Sequence, residues 1–587
     1  MNRTQISLSL AALALAGSLG ACSATAVASS TKSSTSTSVS TATAAAGTTG
    51  AGAAAVLAAN TAVTAITTTA DTSNAVSVDL SNPVAATGVT VSQGTVTITK
   101  AGTYVLSGTL TGQVVVNTPD KGQVTIVLSG ATITSSTGSA LAVTDADTVL
   151  VYLASGTDNA LTDAKTYSDT GTDAPNATLF SSADMAIAGS GSLTVTGTSG
   201  DAITSKDGLA IAGGTITVKA ADDGIRGKDY LVITGGTITV DAGGDGLKSD
   251  NDTDAKLGYV AVEGGTVTIT AGGDGVAAFT DAVVADGTLT ITAGGGHSAK
   301  LAADVSAKAL KSGSNTVVSG GTVTIDSADD ALNSNSTVTI DGGTVTAATG
   351  DDAVHADADL TIAGGNLTVT SSYEGLESPK IHITGGSATL TTSDDGINGA
   401  SKTASSGGGM NSVTPGVEVD MSGGTVVLDT GGDGLDSNGV ATITGGTLVV
   451  SGPSANNNGA LDVNGDFVVN GGTLIAVGSS GMMVTPSTSS TQKWVAATFT
   501  AQQKGVVQIV SGQTVLATFT STKAFASIVY SSAALTGTSY DVYVNGQATG
   551  AATGPYTAGG SITGATKLVT VTVNTAAAGG MGAGQRR

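Results

Sequence analysis

One short unit recurs along this chain, and it restricts the possible folds more than any other feature. Ile211 to Tyr230 reads IAGGTITVKAADDGIRGKDY, and Leu231 to Ser249 reads LVITGGTITVDAGGDGLKS. Each copy alternates β-branched residues, passes a Gly-Gly pair, alternates again, and ends in an acidic turn, a glycine and one large aliphatic residue. The first glycine of the pair falls at Gly213, Gly235, Gly264, Gly320, Gly342, Gly364, Gly385, Gly423, Gly445 and Gly471. The commonest step is 22 residues. The longer steps hold insertions near Asn251–Lys256 and Ser401–Pro415, or a degenerate copy, Asp286–Ile291. A fixed period of this size denotes a solenoid.

Helical solenoids are excluded, because no long 3.6-residue apolar period accompanies the glycines and β-branched residues. The Leu/Asn frame of leucine-rich repeats is missing, and Gly-Gly-x-Gly-x-Asp does not recur every nine residues as a calcium roll requires. About 22 residues with two or three short strands fits one coil of an all-β, parallel β-helix. In the second copy Leu231, Ile233, Ile238, Val240 and Leu247 should point inward, alternating with outward Thr and Asp.

The rest of the chain divides around this solenoid. Residues 1–21 read as a lipoprotein signal peptide: Asn2-Arg3, an apolar Ile6–Ala16 core too short to span a membrane, and then Leu19-Gly20-Ala21-Cys22, which resembles a bacterial lipobox. Cys22 is the one cysteine in the chain, so it has no disulfide partner and is expected to carry the lipid. Residues 22–75, rich in Ser, Thr and Ala, read as a flexible tether. The β-helix is expected over 76–478, opening with cap strands that cover its exposed edge. A small antiparallel β module follows over 479–575, and 576–587 form a disordered tail. The expected product is a monomer, exported and lipid-anchored at a bacterial outer membrane or cell surface.

The formal charge is −23, and of 45 acidic residues only four are Glu: Glu263, Glu374, Glu377 and Glu418. Asp forms turns and binds hard cations, whereas a surface this acidic is no partner for nucleic acid. Aligning the copies places one polar slot in register: Asp201, Asp223, Asp245, Asp274, Asp330, Asp352, Glu374, Asp395 and Asp433. Carboxylates stacked about 5 Å apart repel by roughly 3 kcal/mol at an effective dielectric of about 20. Bound cations, protonation or splaying into solvent must relieve that. Asp before Gly is also ordinary turn chemistry. Calcium suits the row, because it takes six to eight oxygens in loose geometry. The expected calcium ligands are Asp201, Asp222, Asp223, Asp245 and Asp274, with Asp250 and Asp252 closing the site from the insertion. Zinc is not expected, since His297, His355 and His382 stand in different coils. No Ser/His/Asp arrangement, phosphate loop or dinucleotide fingerprint is found.

Lys206-Asp207-Gly208-Leu209, Ala221-Asp222-Asp223-Gly224-Ile225, Gly227-Lys228-Asp229 and Gly244-Asp245-Gly246-Leu247-Lys248-Ser249 resemble a bacterial family of secreted carbohydrate-binding domain-containing β-helix proteins. Gly102-Thr103-Tyr104, Ala174-Pro175-Asn176-Ala177 and Tyr540-Asp541-Val542-Tyr543 extend the likeness over about Val76 to Val573. The resemblance implies a right-handed parallel β-helix, calcium in the acidic turns, and binding of an acidic, pectin-like polysaccharide. The stretch His297–Lys311 departs from the pattern, with Lys308 in the acidic slot.

Arg226, Lys228 and Lys248 are the expected contacts to such a polysaccharide. Two rival functions stay open. The same fold houses polysaccharide lyases, which use calcium to neutralise a uronate carboxylate and a Lys or Arg as base. Lys248 could be that base if its pKa were lowered, though a lysine among aspartates is more simply an ion-pair partner. Alternatively, the solenoid is a non-catalytic adhesin or surface spacer. Tyr230, Tyr259 and Tyr373 are the candidate sugar-stacking platforms.

Overall fold

The repeat folds as three strands per copy. In one copy these are Ile225–Gly227, Tyr230–Ile233 and Thr237–Ala242; in the next, Leu247–Ser249, Tyr259–Val262 and Thr266–Ala271. This computed structural model describes residues 44–171, 174–402 and 412–576, and the backbone of 581–582. All lie within one unit, Ala42–Arg587. The expected export signal, Cys22, part of the Ser401–Pro415 insertion and most of the expected tail fall outside these residues.

Strands of successive copies pair in parallel: Ile225 with Leu247, Leu231 with Val260, Ile238 with Val267. Where no insertion intervenes the partner stands 22 positions on, as Thr215 does from Thr237. The short strands join in a 16-stranded sheet and the others in a 35-stranded one. Alternation along Thr237–Ala242 leaves Thr237, Thr239 and Asp241 exposed and buries Ile238, Val240 and Ala242. Leu231, Ile233, Ile238, Val240 and Leu247 are all inward, in one core that runs through the stack. The degenerate copy is a true coil: Thr288–Ala293 pairs with Thr266–Ala271 on one side and Thr322–Ser327 on the other.

The Gly-Gly pair has a steric cause. The second glycine turns the chain with positive φ (Gly236, +99°), which side chains rarely adopt, while a Cβ on the first would meet the carbonyl of the preceding coil, as at Gly264 and Thr234.

At the N-terminal end, an antiparallel hairpin of Val89–Ser92 and Thr95–Ile98 begins the short-strand sheet. At the other end, Trp494–Ser511 and Thr514–Ser531 are long antiparallel strands, and the second pairs antiparallel with Thr473–Gly478. Sequence periodicity suggests shorter strands here because irregular register between Thr498, Gln503 and Gly505 breaks the alternation. This module has its own core, with Phe519, Phe525 and Ile509 packed against Ile475 and Val477.

The tether expectation is corrected from residue 44 onward. Residues 44–75 lie against the coils as a strap. Its helix, Ala53–Ala59, buries Ala53 and Val56 on Tyr230, Val232, Tyr259, Ala261, Val283 and Val317. The strap crosses the coils from the C-terminal side toward the N-terminal side. The Thr48 amide donates to Asn315 Oδ1 (2.8 Å), Asn60 Nδ2 to Asp281 Oδ2 (2.7 Å), the Thr64 amide to the Tyr230 hydroxyl (2.8 Å), and the Thr67 amide to Gln123 Oε1 (3.0 Å). Small Ala, Ser and Thr side chains carry no period, yet they let this backbone approach a flat sheet closely. Composition alone therefore reads as linker where tertiary contacts order the chain.

Candidate functional site: an acidic seam along the short-strand sheet

The turn before each short strand carries the acidic slot, and its carboxylates do line up. Their main support is the backbone of the next coil. Asp201 Oδ1 accepts the Asp223 amide (3.3 Å), Asp223 Oδ1 the Asp245 amide (2.9 Å), Asp245 Oδ1 the Asp274 amide (2.9 Å), and Asp274 Oδ1 the Lys308 amide (2.9 Å). The pattern continues from Asp330 to Asp352 (3.1 Å) and from Asp395 to Asp433 (2.6 Å). One oxygen of each carboxylate thus satisfies an amide that parallel pairing leaves without a strand partner. Hydrogen bonds to a carboxylate oppose its repulsion from the next one.

Three positions after the slot, a second row faces outward from the short strands. Register places Arg226, Lys248, Ala277, Lys311, Asn333, His355, Glu377, Asn398, Asp436 and Asp462 above one another. This row changes sign along the solenoid. Its basic half meets the carboxylates directly. Lys248 Nζ lies 2.9 Å from both Asp223 Oδ2 and Asp245 Oδ2, Lys311 Nζ 2.8 Å from Asp274 Oδ2, and Arg226 pairs through two nitrogens with Asp250 (2.7 and 3.0 Å). Lys308, the residue out of pattern, spans Asp329 (2.8 Å) and Asp330 (2.6 Å).

These pairs correct several expectations. A row of carboxylates lacking basic neighbours is not what forms between Asp223 and Asp330. Burial by itself would lower the Lys248 ammonium, but the hydrogen bonds it donates to Asp245 and Asp223 outweigh it and hold it above its usual range. It is therefore an ion-pair partner, and the opposite of the depressed amine a lyase base needs. Arg226 and Lys248, expected as polysaccharide contacts, are engaged within the protein. The Lys228 backbone is tied to neighbouring coils, its amide bonded to Ser205 and its carbonyl to Asn251, and its charge lies near Asp207. Asp250 serves Arg226. The insertion that carries Asp252 closes on Asp229 through Asn251 Nδ2 (2.6 Å), not over the carboxylates.

What the structure does bring together is Asp201, Asp222 and Asp223, each offering an oxygen within 4.8 Å of the others. Oxygens sharing one calcium, each at 2.3–2.6 Å from it, lie within about 5 Å of one another, so this trio fits that cation. Asp201 and Asp223 are buried and Asp222 is exposed. Burial, and then the charge of Asp223, push the Asp201 carboxyl up to about 6. Asn176 Nδ2 (3.2 Å) and the Thr204 hydroxyl (3.0 Å) donate to Asp201 Oδ2, and Arg226 Nη1 stands 3.8 Å away. Asp201 and Asp222 border an open recess of about 470 Å³, lined among others by Lys165, Tyr167, Asn176 and Ser199. That volume suits one or two sugar rings. Asp245 and Asp274 stay in the seam but face lysines.

Toward the C-terminal end acidic residues face acidic residues. Burial, then the charge of Asp433, push Asp395 up to about 8; burial, then Asp395 and Asp433, do the same to Asp436. The outward row was readable from spacing, since its members from Arg226 to Asp436 each stand three residues after their slot. Of the tyrosines, Tyr230 and Tyr259 stack on each other, centroids 5.7 Å apart, beneath the strap. Tyr373 is exposed.

Stacked parallel strands with few helical residues, and an acidic seam on one sheet, define a parallel-β solenoid of the β-helix type. Comparison with known proteins narrows this. Residues 92–353 match the family model of carbohydrate-binding domain-containing proteins. A carbohydrate-binding domain-containing protein of Acetivibrio thermocellus is 40% identical over 136 residues, 23% of this chain and 48% of its own length; the chain thus spans about half of that relative. A solved structure of a polysaccharide lyase-like protein from C. thermocellum, a gadolinium derivative, is 32% identical, covering 42% of this chain and 96% of the other, with a TM-score of 0.37.

Proposed function

We propose that this protein binds an acidic, pectin-like extracellular polysaccharide through calcium held by Asp201, Asp222 and Asp223. The observation that carries the reading is that trio of carboxylates, drawn from two coils, with Asp201 and Asp222 lining a sugar-sized recess. Calcium there would neutralise the trio and keep coordination positions for a uronate carboxylate, while Lys165, Tyr167 and Asn176 line the space beside it. The match of residues 92–353 to a carbohydrate-binding family model supports the ligand class. Lipid on Cys22 would hold the protein at a bacterial outer membrane or cell surface, as a monomer.

Retention on polygalacturonate, with calcium and with excess EDTA, tests this. The expected result is calcium-dependent retention, reduced at least tenfold in Asp222→Asn, whose exposed side chain can change without disturbing the core. Retention unaffected by EDTA and by Asp222→Asn would overturn it. Ultraviolet absorbance of unsaturated product, followed in the same samples, separates binding from lyase action. The protonated Lys248 predicts no such signal.

A further inference from the structure

We propose that Asp352, His355 and Glu377 form a second metal site, selective for a borderline divalent ion of the zinc class. His355 Nδ1 lies 3.0 Å from Asp352 Oδ2 and 2.6 Å from Glu377 Oε2. Without an ion, the one Nδ1 proton would have to be shared between two carboxylates that also face each other. A single cation between the three atoms satisfies all of them. The three donors lie within 4.8 Å of each other. Ligand atoms around zinc stand roughly 3.3–3.5 Å apart, so the two nitrogen–oxygen contacts would spread by about 0.3–0.9 Å.

The other face of the imidazole is prepared as well. His355 Nε2 is 3.1 Å from Asp357 Oδ1, which Lys402 Nζ holds at 2.8 Å. A carboxylate on the far nitrogen fixes the tautomer and orientation of a metal-binding histidine, leaving Nδ1 for the ion. Asp352 and His355 are buried and Glu377 is partly exposed, so a fourth position faces solvent. The site sits where the outward row passes from basic to acidic, and one nitrogen with two carboxylates is a poor set for calcium but a good one for zinc, cobalt or manganese. Sequence spacing hides it, because Glu377 comes from the next coil and no second histidine or cysteine is involved.

Cobalt is the probe. The full chain is stripped with chelator, dialysed, and titrated with Co²⁺ at pH 8, since the ion must displace the imidazole proton. The expected result is visible ligand-field absorption saturating at one equivalent, abolished by equimolar Zn²⁺ but not by Ca²⁺. His355→Gln and Glu377→Gln should each remove it, and Asp357→Asn should weaken Co²⁺ binding about 10–100-fold. Circular-dichroism melting checks that the variants fold; if His355→Gln does not, Glu377→Gln decides. Absence of the bands in the parent, or their persistence in folded Glu377→Gln, overturns the proposal. Calcium-dependent retention on polygalacturonate is read separately, so either idea can fail while the other stands.

Discussion

The Oδ1 atom of Asp395 accepts the backbone amide of Asp433 at 2.6 Å, joining one coil to the next through a side chain. Its other oxygen faces an acidic neighbourhood. The two halves of this carboxylate therefore have separable consequences. An amide side chain retains the acceptor and discards the charge, whereas alanine discards both. Asp395→Asn is expected to melt higher than the parent at pH 8.5 in chelator, and close to it at pH 5. Asp395→Ala should lose about 1–3 kcal/mol at both, from a backbone amide left unpaired. Urea midpoints for the three proteins check this; an asparagine variant as unstable as the alanine one would show that the charge, not the acceptor, is what the fold needs.

The same neighbourhood sets a pH dependence. Asp395 and Asp436 titrate near 8 in the fold, against an ordinary 3.8. Between those values the folded protein keeps protons the unfolded chain has shed. Their contribution to stability is complete below about pH 4 and is lost as pH rises through 8. In EDTA the melting temperature should fall across pH 4–8, and Asp395→Asn should flatten that fall. A melting temperature that climbs over this window would contradict the assignment.

Lys248 bridges two slots, so its removal should release both. Lys248→Met leaves Asp223 and Asp245 facing each other without an ammonium. With 28% of the Lys248 side chain exposed, solvent screens part of the effect. The expected loss is roughly 1–3 kcal/mol, under the roughly 3–5 kcal/mol of a wholly buried pair. Calcium should recover part of it by occupying the vacated oxygens. Differential scanning calorimetry with and without calcium reads both effects, and a variant as stable as the parent in EDTA would show the pair to be energetically idle.

These relationships divide by how far apart in sequence their members lie. The inward set Leu231, Ile233, Ile238, Val240 and Leu247 was legible, because alternation and the 22-residue step are local signals. So was the alignment of Asp223 with Asp245. Lys248 between them was visible at the right spacing, but its partnership depends on the slope of a turn, which periodicity does not encode. Glu377 beside His355 needs the register of two coils. Asn176 beside Asp201 needs the path of an irregular loop. The strap was illegible for a different reason: Val56 and Ala53 gain their meaning from Tyr230, Tyr259 and Val317, more than 170 residues away.

Val56 makes that last point testable. It is 4% exposed, and its burial beside Val232 and Val283 is what the helix Ala53–Ala59 contributes to holding residues 44–75 on the coils. An isolated helix of seven residues has no stability of its own in water, so the strap is ordered only while docked. Val56→Asp places a charge against the apolar patch without touching the stacked core. The strap should then detach while the coils remain folded. Limited proteolysis is expected to cut within 44–75 many times faster in the variant, with the far-ultraviolet spectrum unchanged and binding of a hydrophobic dye increased as Tyr230, Val232 and Tyr259 become accessible. Equal cleavage rates in the two proteins would mean that the hydrogen bonds to Asn315, Asp281 and Gln123 hold the strap without the helix. A collapse of the spectrum would instead make the strap part of the folding unit, giving the segment before the first strand a structural duty as large as that of a coil.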